Sequence, residues 1–192
     1  MMMNRKSNVV HKFGQGISPI QFMEGMTQNK ERFLEGYEQF QWTSKEDQEF
    51  FESLRTRKDV RALIVAADWC TDVVRNIPVV FHLFETAGIP AEVLILEEHA
   101  EIMDEYLTLG GRSVPIVIVA DLEGNVLGYW GPRPAHIQEI MAEFKSNHPD
   151  READGYQEGM VATRAKMIEA YGGATSIHPF VVAELREMLS RV

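Results

Sequence analysis

The junction at residues 60–86 constrains this chain more than any other part of it. An apolar run over 60–67, of the Val/Leu/Ile/Ala kind that builds a strand covered on both faces, ends in Asp68-Trp69-Cys70-Thr71-Asp72-Val73. An amphipathic stretch over 72–86 follows at once. The pattern predicts a buried strand, a tight turn and a helix, with Cys70 at the helix start. There, free backbone N–H groups and the helix dipole favour a thiolate. Asp68 and Asp72 oppose that effect, so the expectation is a modestly acidic thiol rather than a strongly activated one. Cys70 is also the single cysteine in 192 residues. No disulfide can close within the chain, and the fourth position of a Cys-x-x-Cys pair is occupied by Val73.

Downstream, hydrophobic periodicity alternates between strand and helix. Strands are expected over 60–67, 91–96, 115–121 and 126–130, and helices over 72–86, 99–107 and 135–144. The order β-α-β-α-β-β-α implies an α/β fold with a mixed sheet and helices on both faces. Gly110-Gly111 reads as the C-cap of the second of these helices. Pro78 sits inside the first, eight residues after Cys70, and Arg112-Ser113-Val114-Pro115 precedes the third strand.

These landmarks together resemble the thioredoxin superfamily over residues 58–145. The resemblance implies that Pro78 bends the active-site helix and that Val114-Pro115 forms the cis-proline loop facing Cys70. It also implies that 116–130 is the closing hairpin, with Gly131-Pro132 and the last helix completing the unit. Extended peptide would pair with the backbone before Pro115, as in strand addition. Two departures go together. Val73 replaces the resolving cysteine, and Ile64 stands where many thioredoxins bury an aspartate that takes that cysteine's proton. The dithiol relay is absent as a unit.

The flanks read as helical. In residues 1–57, Ser18-Pro19 is an N-cap followed by a first-turn proline. Phe22, Met26, Phe33 and Tyr37 then share helical spacing, and Thr43 with Glu46 forms a capping box ahead of Phe50, Phe51 and Leu54. In residues 146–192, a helix over 152–171 carries Tyr156, Met160, Met167 and Tyr171. Gly172-Gly173 ends it, and Pro179 starts another with Val181, Val182, Leu185, Met188 and Leu189. The whole, 1–192, is expected to be a single thioredoxin-like domain with N- and C-terminal helical extensions. The extensions would pack on the core or on a second subunit, since several such side chains are too costly to leave in water. A homo-oligomer is compatible with this.

Composition narrows the function. A net charge of −10 and a pI near 5.1 argue against nucleic acid, whose phosphates require clustered cations. No apolar run reaches membrane-spanning length. Residues 1–6 are basic, but they are followed by polar Ser7-Asn8 rather than a secretory apolar region; with one unpaired cysteine this points to the cytoplasm. His82, His99 and His136 show no metal-ligand spacing, so no metal or other cofactor is expected. Glu97-Glu98, Glu101, Asp104 and Glu105 read as a solvated helix face. Gly124 and Gly128 lack the following Gly-Lys-Ser/Thr of a phosphate loop, and Ser113 lacks triad partners. The Met-bearing stripes, Met23 with Met26 and Met160 with Met167, read as packing.

Two functions remain open. In the first, Cys70 performs monothiol redox chemistry, exchanging with a disulfide or accepting a thiol adduct that an external thiol resolves. Trp69, Thr71, Val114 and Pro115 would contact the substrate, and Thr71 could donate a hydrogen bond to the sulfur. The partner is then a protein or a low-molecular-weight thiol or disulfide, in the service of cell redox homeostasis. In the second, the same groove holds an extended peptide beside Val114-Pro115 and Cys70 is a relic.

Overall fold

Three short helices precede the sheet in the computed structural model, which describes residues 7–192; the basic stretch at 1–6 lies outside the described residues. Helix α1 (Pro19–Gly25) starts in a reciprocal capping box, with the Ser18 hydroxyl accepting from Gln21 N–H and the Gln21 side chain accepting from Ser18 N–H. The apolar spacing from Phe22 to Tyr37 spans two helices rather than one, because the chain turns at Asn29, whose φ is 57°. Helix α2 (Lys30–Glu38) follows. Helix α3 (Lys45–Ser53) is capped by Ser44, not Thr43: the Ser44 hydroxyl accepts from Asp47 N–H at 3.0 Å. Ser44 has the extended backbone an N-cap requires, and the helix begins one residue later than a Thr43–Glu46 box would place it.

Strand β1 (Val60–Ala66) leads through the Cys70 turn into α4 (Thr71–Ala87), which contains Pro78 and closes on Gly88 at φ 64°. Then come β2 (Ala91–Ile95), β3 (Ile116–Asp121), β4 (Val126–Trp130), α5 (Ala135–Asn147), α6 (Tyr156–Tyr171) and α7 (His178–Leu189). The sheet order is β2-β1-β3-β4, with β1 parallel to β2 and antiparallel to β3, and β3 antiparallel to β4. It is a mixed sheet with helices on both faces. Ala62–Ala66 of β1 and Ile116–Ala120 of β3 are buried at every position, as strands covered on both sides must be.

The helix expected over 99–107 is instead a 3₁₀ segment, Ala100–Glu105. Ile102 N–H bonds back three residues to the His99 carbonyl, and Tyr106 N–H to that of Met103. Buried Lys12, reaching in from the N-terminal flank, pairs with Glu101 and lies 3.1 Å from His99 Nδ1, anchoring the start of this segment. Gly110 is consequently not a helix C-cap. It lies in a reverse turn closed by Thr108 and Gly111, following Leu109 at φ 51°.

Both flanks pack on the sheet domain. Helix α4 contacts α2, α3 and α7, while α7 also contacts β4 and α3, and α5 lies against α6. Phe22 and Phe33 form an aromatic cluster with Phe81 of α4, ring centres 5.7–6.2 Å apart. Tyr37 stacks on His82 at 4.0 Å. Val181, Val182, Leu185 and Leu189 of α7 are buried. Among the described residues, no helix is long and apolar enough to cross a membrane.

One buried group gives the fold a pH dependence. His178, 2% exposed at the first turn of α7, has no hydrogen-bond partner on either ring nitrogen. Burial, then the nearby His82, push its pKa down to about 4. The helix N-terminus also disfavours a cation there. The unfolded chain takes up this proton near pH 6.5 and the folded chain does not, so stability is lost as pH falls from about 6.5 towards 4. The expected loss from this residue is up to about 3 kcal/mol. His178→Leu should flatten that part of a denaturant-midpoint profile between pH 7 and 4.5; a parallel wild-type and variant profile would contradict it.

Candidate functional site around Cys70

The end of β1 sets the position of Cys70. Asp68 is held by the preceding flank: its carboxylate accepts from Thr27 N–H at 2.8 Å, Gln28 N–H at 3.0 Å and the Thr27 hydroxyl at 3.2 Å. Burial would raise its pKa, but these donors hold it below the usual carboxylate range. Asp68 is therefore committed to the α1–α2 connection and is not the acid that acts on the thiol. Trp69 projects outward, half exposed, and its indole N–H donates to Glu97 at 2.6 Å.

Cys70 is the N-cap residue of α4 and is partly buried. Its Sγ donates to the Val114 carbonyl at 3.3 Å, and the Val114–Pro115 peptide bond is cis. Thr71 is exposed, and it is the backbone N–H groups of Val73 and Asp72, not the Thr71 hydroxyl, that act on the sulfur. The thiol is not acidic, contrary to expectation. Burial first, and the Asp72 charge second, push its pKa up, outweighing those N–H groups and the Arg133 cation. Desolvation, which the residues around the turn do not announce, is the largest contribution. Val73 is fully buried one turn further on, and Ile64 is buried within β1.

Beneath the turn lies a polar network that the sequence reading missed. Asp72 forms an ion pair with Arg133 at 2.6 Å, with side-chain exposures of 13% and 8%. Its other oxygen accepts from the Tyr171 hydroxyl at 2.6 Å. Asn76, one turn along α4, donates to the Tyr171 oxygen at 3.1 Å and to the Pro132 carbonyl at 3.2 Å. Arg133 also donates to Gln138 at 2.7 Å. Gly131 makes this approach feasible: its φ is 121°, and a Cβ there would lie 2.2 Å from the Pro115 carbonyl oxygen. The segment after β4 thus lies against the Pro115 loop and delivers Arg133 to Asp72. Two weak signals existed in the sequence, a lone Asn76 on an apolar helix and an arginine between two prolines.

Cys70 opens onto a cavity of about 520 Å³. Loop residues Leu109 and Val114 line one side of it, and Met160, Met167 and Ile168 of α6 the other. Trp69, Thr71 and Val114 all face this space with Cys70; Pro115 itself does not line it. Among the described residues, no three His, Cys, Asp or Glu side chains are grouped to hold a metal ion.

A cysteine at the N-terminus of a helix, beside the loop carrying a cis X–Pro bond and next to a mixed four-stranded sheet, defines a thioredoxin-like protein. The family model described as thioredoxin matches residues 16–145, and the chain belongs to that family. The match begins well before residue 58, so α1–α3 fall within the family's span. Among solved structures, the chain is similar to an HIV epitope-scaffold at 15% identity and TM-score 0.66, over 97% of this chain and 99% of the other. It is also similar to a protein of unknown function from Pseudomonas aeruginosa at 18% identity and TM-score 0.58, over 85% of this chain and 98% of that one. Both are likenesses of fold. No curated protein matches the sequence.

Proposed function

We propose that this thioredoxin-family chain performs one-thiol exchange at Cys70, with an external thiol resolving the intermediate. The observation that carries the reading is the placement of Cys70. Its sulfur sits at a helix start against the Val114 carbonyl and opens onto a cavity, while buried Val73 occupies the position of a resolving thiol. Trp69, Thr71 and Val114 would contact the substrate, and Pro115 would support the loop from behind. The partner is a protein or small thiol or disulfide in a reducing compartment such as the cytoplasm. The raised thiol pKa favours a second reading, a redox-silent groove that holds extended peptide beside Val114-Pro115.

Turnover separates these. A protein disulfide is fully reduced when a second thiol displaces the mixed disulfide, and this chain supplies none. With a thioredoxin reductase and insulin, wild type should show no turnover until a small thiol is added. Val73→Cys should gain turnover on its own, below that of a native dithiol because Ile64 offers no buried carboxylate. Robust unaided turnover by wild type would contradict the one-thiol account. No turnover with added thiol, together with peptide affinity that survives Cys70→Ser, would favour the silent groove.

A further inference from the structure

The cavity over Cys70 differs in charge from the rest of the molecule. The chain carries a net −10, yet the cavity lining holds Arg112, Arg133, Lys145 and Arg164 against the single acid Asp72. Asp72 is consumed by Arg133 and the Tyr171 hydroxyl. Arg112 is paired with Asp104 at 2.7 Å. Two cations are left over. Among the described residues, Lys145 has no ion pair and donates one hydrogen bond, to the Leu109 carbonyl at 3.3 Å. Burial, then the like charges of Arg151 and Arg133, depress its pKa. Arg164 has no ion pair or hydrogen bond among the described residues and stands on α6, the helix that walls the cavity.

The shape is equally restrictive. Small-molecule sites enclose roughly 300–1,000 Å³ behind mostly apolar walls with a few polar groups. Here the volume is about 520 Å³, and Leu109, Met141, Met160 and Ile168 supply the apolar part. Because α6 rises beside Cys70, the thiol sits in a hollow rather than on a flat face, which suits a small molecule better than a disulfide on the surface of a folded protein.

We propose that the cavity binds a small thiol or disulfide bearing carboxylates, with its sulfur at Cys70 and its anionic end at Lys145 and Arg164. This rests on Cys70 being the reactive group, as proposed above. In the exchange, the Cys70 thiolate attacks the R sulfur of a mixed disulfide R–S–S–R′. The Cys70–S–R bond forms as the R–S–S–R′ bond breaks, and R′–S⁻ leaves to take a proton from water. The thiolate of R–SH then attacks the R sulfur held on Cys70, giving R–S–S–R and free Cys70. Overall R–S–S–R′ is reduced to R′–SH while two R–S groups are joined as the disulfide, so the electrons balance within the small-thiol couple.

The test uses the full chain and two disulfide reagents, dianionic 5,5′-dithiobis(2-nitrobenzoate) and neutral 4,4′-dithiodipyridine, each rate being normalised to 2-mercaptoethanol at the same pH. A cavity with uncompensated cations should raise the anionic-to-neutral rate ratio by about tenfold, the low end of electrostatic focusing. The ratio should collapse in the Lys145→Ala/Arg164→Ala variant. It should also fall in wild type as salt rises from about 0.05 M to 0.5 M, since added ions screen such a field; this arm does not depend on the variant folding. A ratio near one, indifferent to salt and to the variant, would overturn the anionic site and leave Cys70 chemistry intact. Failure of Cys70 to react with either reagent would overturn the proposed function, and this inference with it.

Discussion

Deletion of residues 146–192 is expected to abolish soluble, cooperatively folded protein. Helices α6 and α7 bury Tyr156, Met167, Tyr171, Val181, Val182, Leu185 and Leu189 against the rest of the chain. Each such side chain contributes roughly 1.5–3 kcal/mol, so together they rival the whole net stability of a domain, about 5–15 kcal/mol. Polar ties are lost as well. Glu184 accepts from the Trp130 indole at 2.6 Å and from Ala135 N–H at 2.8 Å, and Arg186 pairs with Asp47 of α3 at 2.7 Å. Removing Tyr171 also strips Asp72 and Asn76 of a shared partner. Inclusion bodies, or a soluble fragment without a cooperative thermal transition, are the expected outcome. An unchanged melting temperature in the truncated chain would show the tail to be a separate appendage.

Arg133→Ala should be the most damaging single substitution near the site. It leaves the largely buried Asp72 carboxylate with the Tyr171 hydroxyl as its remaining hydrogen-bond partner among the described residues, and breaking a pair on one side costs about 3–5 kcal/mol at full burial. For a chain of this size the melting temperature should fall by about 10 °C. The thiol responds in the same direction: the cation that lowers the Cys70 pKa is gone while Asp72 stays, so alkylation at neutral pH slows. Adding Asp72→Asn to the same chain removes the stranded charge and should recover part of both losses, a coupling that a double-mutant cycle reads directly. Additive effects of the two substitutions would contradict the network.

The sheet was legible because its signals are local. Continuous apolar runs marked β1 and β3, the short gap between the strands expected over 115–121 and 126–130 marked the hairpin, and the spacing of Cys70, Pro78 and Pro115 marked the family. Errors fell where distant residues decide local geometry. Lys12, 89 positions before Glu101 in sequence, helps set the 3₁₀ segment after β2, and no window around 99–107 contains it. The Asn29 turn that divides α1 from α2 lies where Asp68 gathers donors from Thr27 and Gln28, and it is likewise non-local. At the site, the lone cysteine was readable from the turn, but its acidity was not. Burial of the sulfur depends on the Val114 loop and on α6, and the Asp72–Arg133–Tyr171 cluster joins three segments spread over 99 positions.

The most direct test of the one-thiol account is intact-protein mass spectrometry after exposure to the oxidised form of a carboxylate-bearing small thiol, repeated across pH. The account predicts one adduct per chain, located on Cys70, absent in Cys70→Ser and removed by reductant. Its rate of formation should keep climbing above pH 8, because burial and Asp72 hold the thiol's pKa above its ordinary value. A wild-type chain that stays unmodified even at pH 9, or an adduct that added thiol cannot remove, would contradict it.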